Sequence, residues 1–463
     1  MEKDCPRRHS RENSNVCETT TVFNTRCPLT HGNAATETSF VINAVALICS
    51  VLCAWLAFNN GLSDPVELFI VMLVVLLLTT GALELVFFGK RSALGRLKIR
   101  RKLSWRRVCY REVALAITFL VIGIAYWTFP AFAEESTVKY YFPFAGFLAL
   151  VLLLLSVPYF CIMDKVDEND DDALCKVGRA IITRTKTMSR FEFGNYVRSW
   201  LVKAFWLSLM QPSVVEKIRV FICYHWDKLS GNPLEIYLMA STCCYAIDLA
   251  FASSGYVLNF KLFNTQTRTT EPSLLGWIVT VVCDWPFWGM LLYPYFFRYE
   301  STLHWYDSLF ETGSVWWWLW AAVIVFLELL YALSTVSAGI RFSNLTYRGL
   351  WNTGLYRLTK HPAYVFKNLS WWMIFVPFLL NSGADAVKCT VMLFGTSLLY
   401  YLRAKTEEAH LSHYPEYVAY ALEMNRKSIF RWCVYILPFL KYAPPSENEL
   451  RFKVSTLSED ISR

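Results

Sequence analysis

Apolar runs of sixteen to twenty-six residues recur along most of this 463-residue chain, most of them long enough to cross the hydrocarbon core of a bilayer. They lie near 39–58, 66–88, 113–133, 142–163, 199–224, 234–258, 274–297, 314–333, 365–380 and 386–403. With 55% hydrophobic and only 18% charged residues, the chain is too apolar for two ordinary soluble domains. The fold class it predicts is all-α: a polytopic integral membrane protein of about ten transmembrane helices, both termini cytoplasmic.

Charge placement sets the orientation. Between Lys90 and Arg111 stand ten Lys or Arg and no acidic residue, directly against two apolar runs, which marks a cytoplasmic connection. The connection from Asp164 to Arg198 carries seven basic residues and the acidic run Glu168 to Asp172, and alternation places it on the same side. The run at 199–224 is the weakest, because Lys203, Glu216, Lys217 and Arg219 interrupt it; it reads as a broken or partly re-entrant helix. Counting it as a crossing keeps Arg341, Arg348, Arg357 and Lys360 inside, as the bias requires. The net charge of +8 therefore reflects topology, with no nucleic-acid partner expected.

Four regions follow: a disordered polar tail (1–38), a membrane region of about eight helices (39–333), a C-terminal module with a helical hairpin and cytoplasmic extension (334–442), and a polar tail (443–463). Most of the fourteen cysteines fall in apolar runs and read as small buried hydrophobes. Cys5, Cys17, Cys27, His9 and His31 in the tail lack metal-site spacing, so no metal is expected. Trp316, Trp317, Trp318 and Trp320 open a span and read as an interfacial aromatic belt. Asn344-Leu345-Thr346 has the form of a glycosylation acceptor, but falls on the cytoplasmic side.

Two elements point to chemistry. In the first, Gly349 to Tyr364, Lys360-His361-Pro362 stands where a span begins, and Pro is at home in a first helical turn. In the second, after the last run, Tyr400, Arg403, Glu407 and His410 recur at i, i+3, i+7 and i+10, one face of a continuing helix, with Glu408 about 100° away. Without a function, Arg403 and Glu407 would form an ordinary surface pair. Glu84, Asp248, Asp284 and Glu328 fall at membrane depth, where acids either line a pathway or pair within the bundle.

Together these elements resemble the C-terminal pattern of the isoprenylcysteine carboxyl methyltransferase family, through Gly354, Tyr356, His361, Pro362, Tyr364, Arg403, Glu407, Glu408, Tyr414 and Tyr417. The likeness covers roughly residues 340–430; Lys360 replaces the family's Arg, and the N-terminal spans exceed those of small family members. The resemblance implies S-adenosylmethionine as cofactor, held by Tyr356, His361, Pro362, Tyr364, Glu408 and Tyr417. It implies Arg403 and Glu407 as catalytic residues at the transferring methyl group and the acceptor. The implied acceptor is a lipid or lipidated carboxylate, such as that of an isoprenylated cysteine, reached from the membrane. A bacterial inner membrane is favoured, or the endoplasmic reticulum membrane in a eukaryote, with the site on the cytoplasmic face. Two alternatives stand beside this reading: an NADPH-dependent sterol or isoprenoid reductase, and a transporter or scaffold without catalysis.

Overall fold

The computed structural model describes residues 38–128, 142–166, 172–295, 304–375 and 383–444. Nearly all of the N-terminal tail, with its cysteines and histidines, and nearly all of the C-terminal tail lie outside these residues.

Several helices begin where the sequence supplies caps. α1 (Phe40–Asn59) ends in a turn, and Asp64 then accepts from Val66 N and Glu67 N to start α2 (Pro65–Phe88), with Pro65 in its first turn. After α3 (Trp105–Thr128) and α4 (Phe142–Val166) comes a short amphipathic helix, α5 (Ala173–Thr183), capped by Asp172. Ser189 and Glu192 form a reciprocal capping box that opens α6 (Arg190–Cys223). Asn232 and Pro233 start α7 (Pro233–Val257), Ser273 caps α8 (Leu274–Val281), and the short α9 (Tyr293–Tyr295) and α10 (Trp305–Ser308) follow. Ser314 caps α11 (Val315–Ala338), and α12 (Pro362–Phe375) begins on its proline. α13 (Gly383–Leu411), α14 (Pro415–Lys427) and α15 (Arg431–Ile436) complete the chain. The strands β1 (Thr269–Thr270) and β2 (Thr346–Tyr347) pair antiparallel, Thr269 opposite Tyr347.

Among the described residues six helices are long and apolar enough to cross a membrane: 40–59, 65–88, 105–128, 145–166, 233–257 and 315–341. The protein is thus an all-α membrane protein. Large apolar side chains such as Leu78, Val86, Leu120, Leu154 and Phe326 are exposed on these helices, as a lipid-facing surface requires.

Three features depart from the sequence reading. α6 is unbroken through Pro212 and runs 34 residues, with Lys203 resting over the Trp200 ring at 4.1 Å. The run at 274–297 is not one helix: α8 stops at Val281, and the chain rewinds only at 287–292. Pro286 has no N–H to continue the ladder. The tryptophan belt is divided: Trp316 is exposed, whereas Trp317 is buried against Tyr237 and Trp305 and donates to Tyr306 O at 3.0 Å.

The helices meet in apolar clusters, one joining Ala46 of α1, Leu76 of α2, Phe251 of α7 and Val336 of α11. Part of the buried charge is paired. Arg341 holds Glu84 through Nη1 at 2.7 Å and Nη2 at 3.2 Å, tying α2 to the end of α11. Part of the basic connection is likewise structural: Asp164 at the end of α4 accepts from Arg107 at 2.7 Å and from Arg111 at 3.0 Å. At Gly339, φ is +59°, and a β-carbon would collide with the Asn43 side chain, which donates to Val336 O at 2.9 Å.

Candidate functional site

The two elements singled out in the sequence lie on opposite walls of one cavity. Its first wall begins at Gly354, whose φ of +54° and missing β-carbon let the chain pass against Ser337 of α11. Leu355 N then donates to Ser337 Oγ at 3.2 Å, and Tyr420 of α14 donates to Tyr356 O at 2.7 Å. Pro362 opens α12, so His361 precedes the helix and Tyr364 lies within its first turn, their rings stacked 5.6 Å apart at 9°.

The second wall is α13, which continues unbroken from Gly383 to Leu411. Its 3.6-residue repeat brings Tyr400, Arg403, Glu407 and His410 to the cavity, while Glu408 turns to another side. Tyr364 donates to Glu407 Oε2 at 2.9 Å, and the Arg403 guanidinium lies over the Tyr364 ring at 5.2 Å. Arg403 is 7% exposed and donates to Asn344 Oδ1 at 2.7 Å, whereas the Glu407 side chain remains 43% exposed. Among the described residues no ion pair joins Arg403 to Glu407, so the surface-pair alternative does not describe this arrangement.

Glu408 does different work from Glu407. It is buried behind the wall, 2.7 Å from Lys360 Nζ, 2.9 Å from Lys405 Nζ and 3.2 Å from His361 Nε2. Burial alone would raise its carboxyl, but the hydrogen bond and charge of His361, with the charge of Lys360, hold it well below the usual carboxylate range. Burial in turn pulls the Lys360 ammonium below its ordinary value, against the pull of Glu408. Pro362 and Tyr417 are also buried outside the cavity lining, and among the described residues the Tyr417 hydroxyl has no hydrogen-bond partner. Of the residues expected at the cofactor, Tyr356, His361 and Tyr364 face the cavity; Pro362, Glu408 and Tyr417 support it from behind.

Several lining residues escaped the sequence reading. Glu271 follows β1 and stands 3.7 Å from His410 Nδ1, and Thr269 Oγ1 lies 3.1 Å from His410 Nε2. Burial, with the charges of His413 and Arg198, pushes His410 down to about 4, so its imidazole is neutral near pH 7. Asn344 arrives on the loop before β2, which Arg348 fastens to α7 by donating to Phe342 O at 3.4 Å and to Gly255 O. No local pattern ties either segment to the cavity, because each reaches the site only through the tertiary fold, and the Asn344-Leu345-Thr346 triplet points to a different chemistry.

Deeper in, two of the four acids flagged at membrane depth contribute. Asp248 accepts from Tyr331 at 2.7 Å and from Thr335, and Asp284, at the break after α8, accepts from Trp206 Nε1 at 3.0 Å. Irregular backbone inside an apolar region is tolerated where it lines a cavity, as it does here. Lys367, one turn beyond Tyr364, faces the same cavity with its ammonium 5.1 Å to 5.6 Å from the rings of Tyr331, Trp371 and Tyr400.

Compared with protein families, curated proteins and solved structures, the chain matches none.

Proposed function

We propose that this cavity is the active site of a membrane methyltransferase, which moves a methyl group from S-adenosylmethionine to a lipid-associated carboxylate. One observation carries the reading: two elements separated by about forty residues of sequence converge on one cavity, with Tyr364 bonded to Glu407 and Arg403 directly beneath.

The lining suits the cofactor. Trp351 and Tyr356 offer aromatic faces to an adenine, the buried Thr346 Oγ1 in the wall has no partner among the described residues, and the half-exposed Glu407 carboxylate suits hydroxyls or a cationic centre. Bound there, S-adenosylmethionine would supply a methyl group already activated on its sulfonium. A carboxylate acceptor needs no general base, so the protein's tasks are alignment and exclusion of water. Arg403, with one donor committed to Asn344, keeps donors for the acceptor carboxylate. His361 and Tyr364 fix the position of the two glutamates.

The test compares lipids and lipidated proteins from membranes with and without the active chain by mass spectrometry. A species heavier by one methyl group only when the chain is present is expected. Identical profiles, from cells confirmed to contain folded protein, would count against the assignment.

The finer topology belongs to the same proposal: ten crossings, with α6, the broken α8–α9 path, α12 and α13 joining the six apolar helices, and both termini and the site cytoplasmic. The dense basic connection from Lys90 to Arg111 supports it. Cysteines placed at Lys98 and Ala419 should resist an impermeant reagent added outside, while those at Asn60 and Lys228 should react. Outside labelling at Ala419 would invert the site.

A further inference from the structure

After α14 the chain folds back along α13, and this segment displays an apolar surface left uncovered among the described residues. Ile429, Trp432, Tyr435, Ile436, Leu437 and Phe439 are 47%, 59%, 87%, 70%, 41% and 56% exposed. Basic Arg426, Lys427, Arg431 and Lys441 are exposed around them. So much aromatic and aliphatic area within one short stretch is foreign to a wet surface.

The segment is held in place. Ile429 N donates to Leu358 O at 3.0 Å, just before the His361 element. At the other end Tyr401 of α13 donates to Phe439 O at 3.0 Å, and their rings meet edge to face 5.5 Å apart. Lys405 Nζ donates to Lys441 O at 3.1 Å, and Tyr442 exchanges two hydrogen bonds with Asn425, at 2.8 Å and 3.1 Å.

What covers the surface follows from α13. Val387, Val391, Phe394 and Leu398 are 65%, 55%, 64% and 47% exposed and recur at i, i+4, i+7 and i+11, an apolar stripe on one face. The next position on that face is Tyr401, so the stripe runs without interruption onto the folded-back segment. An exposed apolar stripe on a membrane protein faces lipid, and the segment continues it with the composition of an interfacial helix: aromatic and aliphatic side chains ringed by Lys and Arg.

We infer that residues 429–439 are a membrane-interface anchor, seated in the headgroup layer of the bilayer with Arg426, Lys427, Arg431 and Lys441 on anionic phospholipid. The occupant is the lipid surface itself. The anchor carries Tyr442, whose ring lies 5.4 Å from the Lys360 ammonium and whose hydroxyl meets Ser412 Oγ at 2.8 Å, so it fastens the ion cluster behind the cavity to the bilayer. A lipid-borne acceptor then reaches the cavity without leaving the membrane. The inference rests on the membrane fold and stands apart from methyl transfer, except in that last consequence.

The test places p-benzoyl-phenylalanine at Tyr435, at Phe394 on the stripe, or at the exposed Ala419 of α14, in the full chain. Each variant is irradiated in nanodiscs of phosphatidylcholine and phosphatidylglycerol and its adducts are identified by mass. Lipid adducts at positions 435 and 394 should exceed those at 419 roughly tenfold or more, as burial in the headgroup region requires. Adducts at 394 without any at 435 would show the segment facing water. Adducts joining two copies of the chain at 435 would make it a self-association surface. Either result overturns the anchor, and neither depends on cofactor or turnover.

Discussion

Replacing Arg403 by Lys should lower methyl-transfer turnover about tenfold or more, a loss of at least about 1.4 kcal/mol in transition-state stabilisation, with cofactor affinity nearly unchanged. The substitution keeps the charge and removes the planar fork. Arg403 is 7% exposed, spends one donor on Asn344 and stacks on Tyr364, so a lysine ammonium can serve the asparagine or the acceptor carboxylate but not both in this geometry. A surface residue would behave otherwise: exposed pairs contribute about 0 to 1 kcal/mol, and turnover would survive. Single-turnover transfer and cofactor binding, measured on one folded preparation, separate the cases. Lost cofactor binding would move Arg403 to the cofactor's side of the site.

The second large effect is expected at Glu408. Replacing it by Gln leaves Lys360, Lys405 and His361 around a neutral amide, and breaking such a buried cluster costs on the order of 3 to 5 kcal/mol. Thermal unfolding in detergent should shift well downward, and His361 should lose its fixed orientation. The pH dependence has a defined sign. The folded-state carboxyl of Glu408 lies below its unfolded value of about 4.3, so its contribution is complete above that pH and fades as the pH falls through the folded-state value. His410 acts earlier in an acid titration. Its folded value of about 4 lies below the unfolded value near 6.5, so the unfolded chain binds the extra proton and stability declines as the pH drops from about 6.5 towards 4. Wild-type protein should therefore lose stability in two stages, and in Glu408→Gln the lower one should shrink, leaving the share of other paired carboxyls such as Asp164. An unchanged acid profile in that variant would show the cluster to be energetically idle.

How much of this was legible in the sequence depends on the range of the interactions. Helical periodicity alone placed Tyr400, Arg403, Glu407 and His410 on one wall and turned Glu408 away, because α13 continues intact past the apolar run. Pro362 marked the start of α12 for the same local reason. The different tasks of the two glutamates were not legible, since they depend on Lys360 and Tyr364 arriving from another helix. Glu271 and Asn344 were missed because they sit on connections whose only regularity is a two-residue strand pairing. Apolar composition disguised the break at Pro286, although a proline within an expected helix signals it, and the break is what gives Asp284 its place at the cavity. The inward turn of Trp317 followed from packing against Tyr237 and Trp305, which the tryptophan cluster itself does not encode.

The central claim is that the cavity between α12 and α13 takes S-adenosylmethionine. Equilibrium binding of the labelled cofactor to the purified chain in nanodiscs, with NADPH as competitor and His361→Ala as the variant, tests it most directly. Saturable binding that NADPH does not displace is expected, weakened by about 1 to 3 kcal/mol in His361→Ala, the range for leaving buried polar partners unpaired. Absent binding, displacement by NADPH, or full affinity in a folded His361→Ala protein would contradict it.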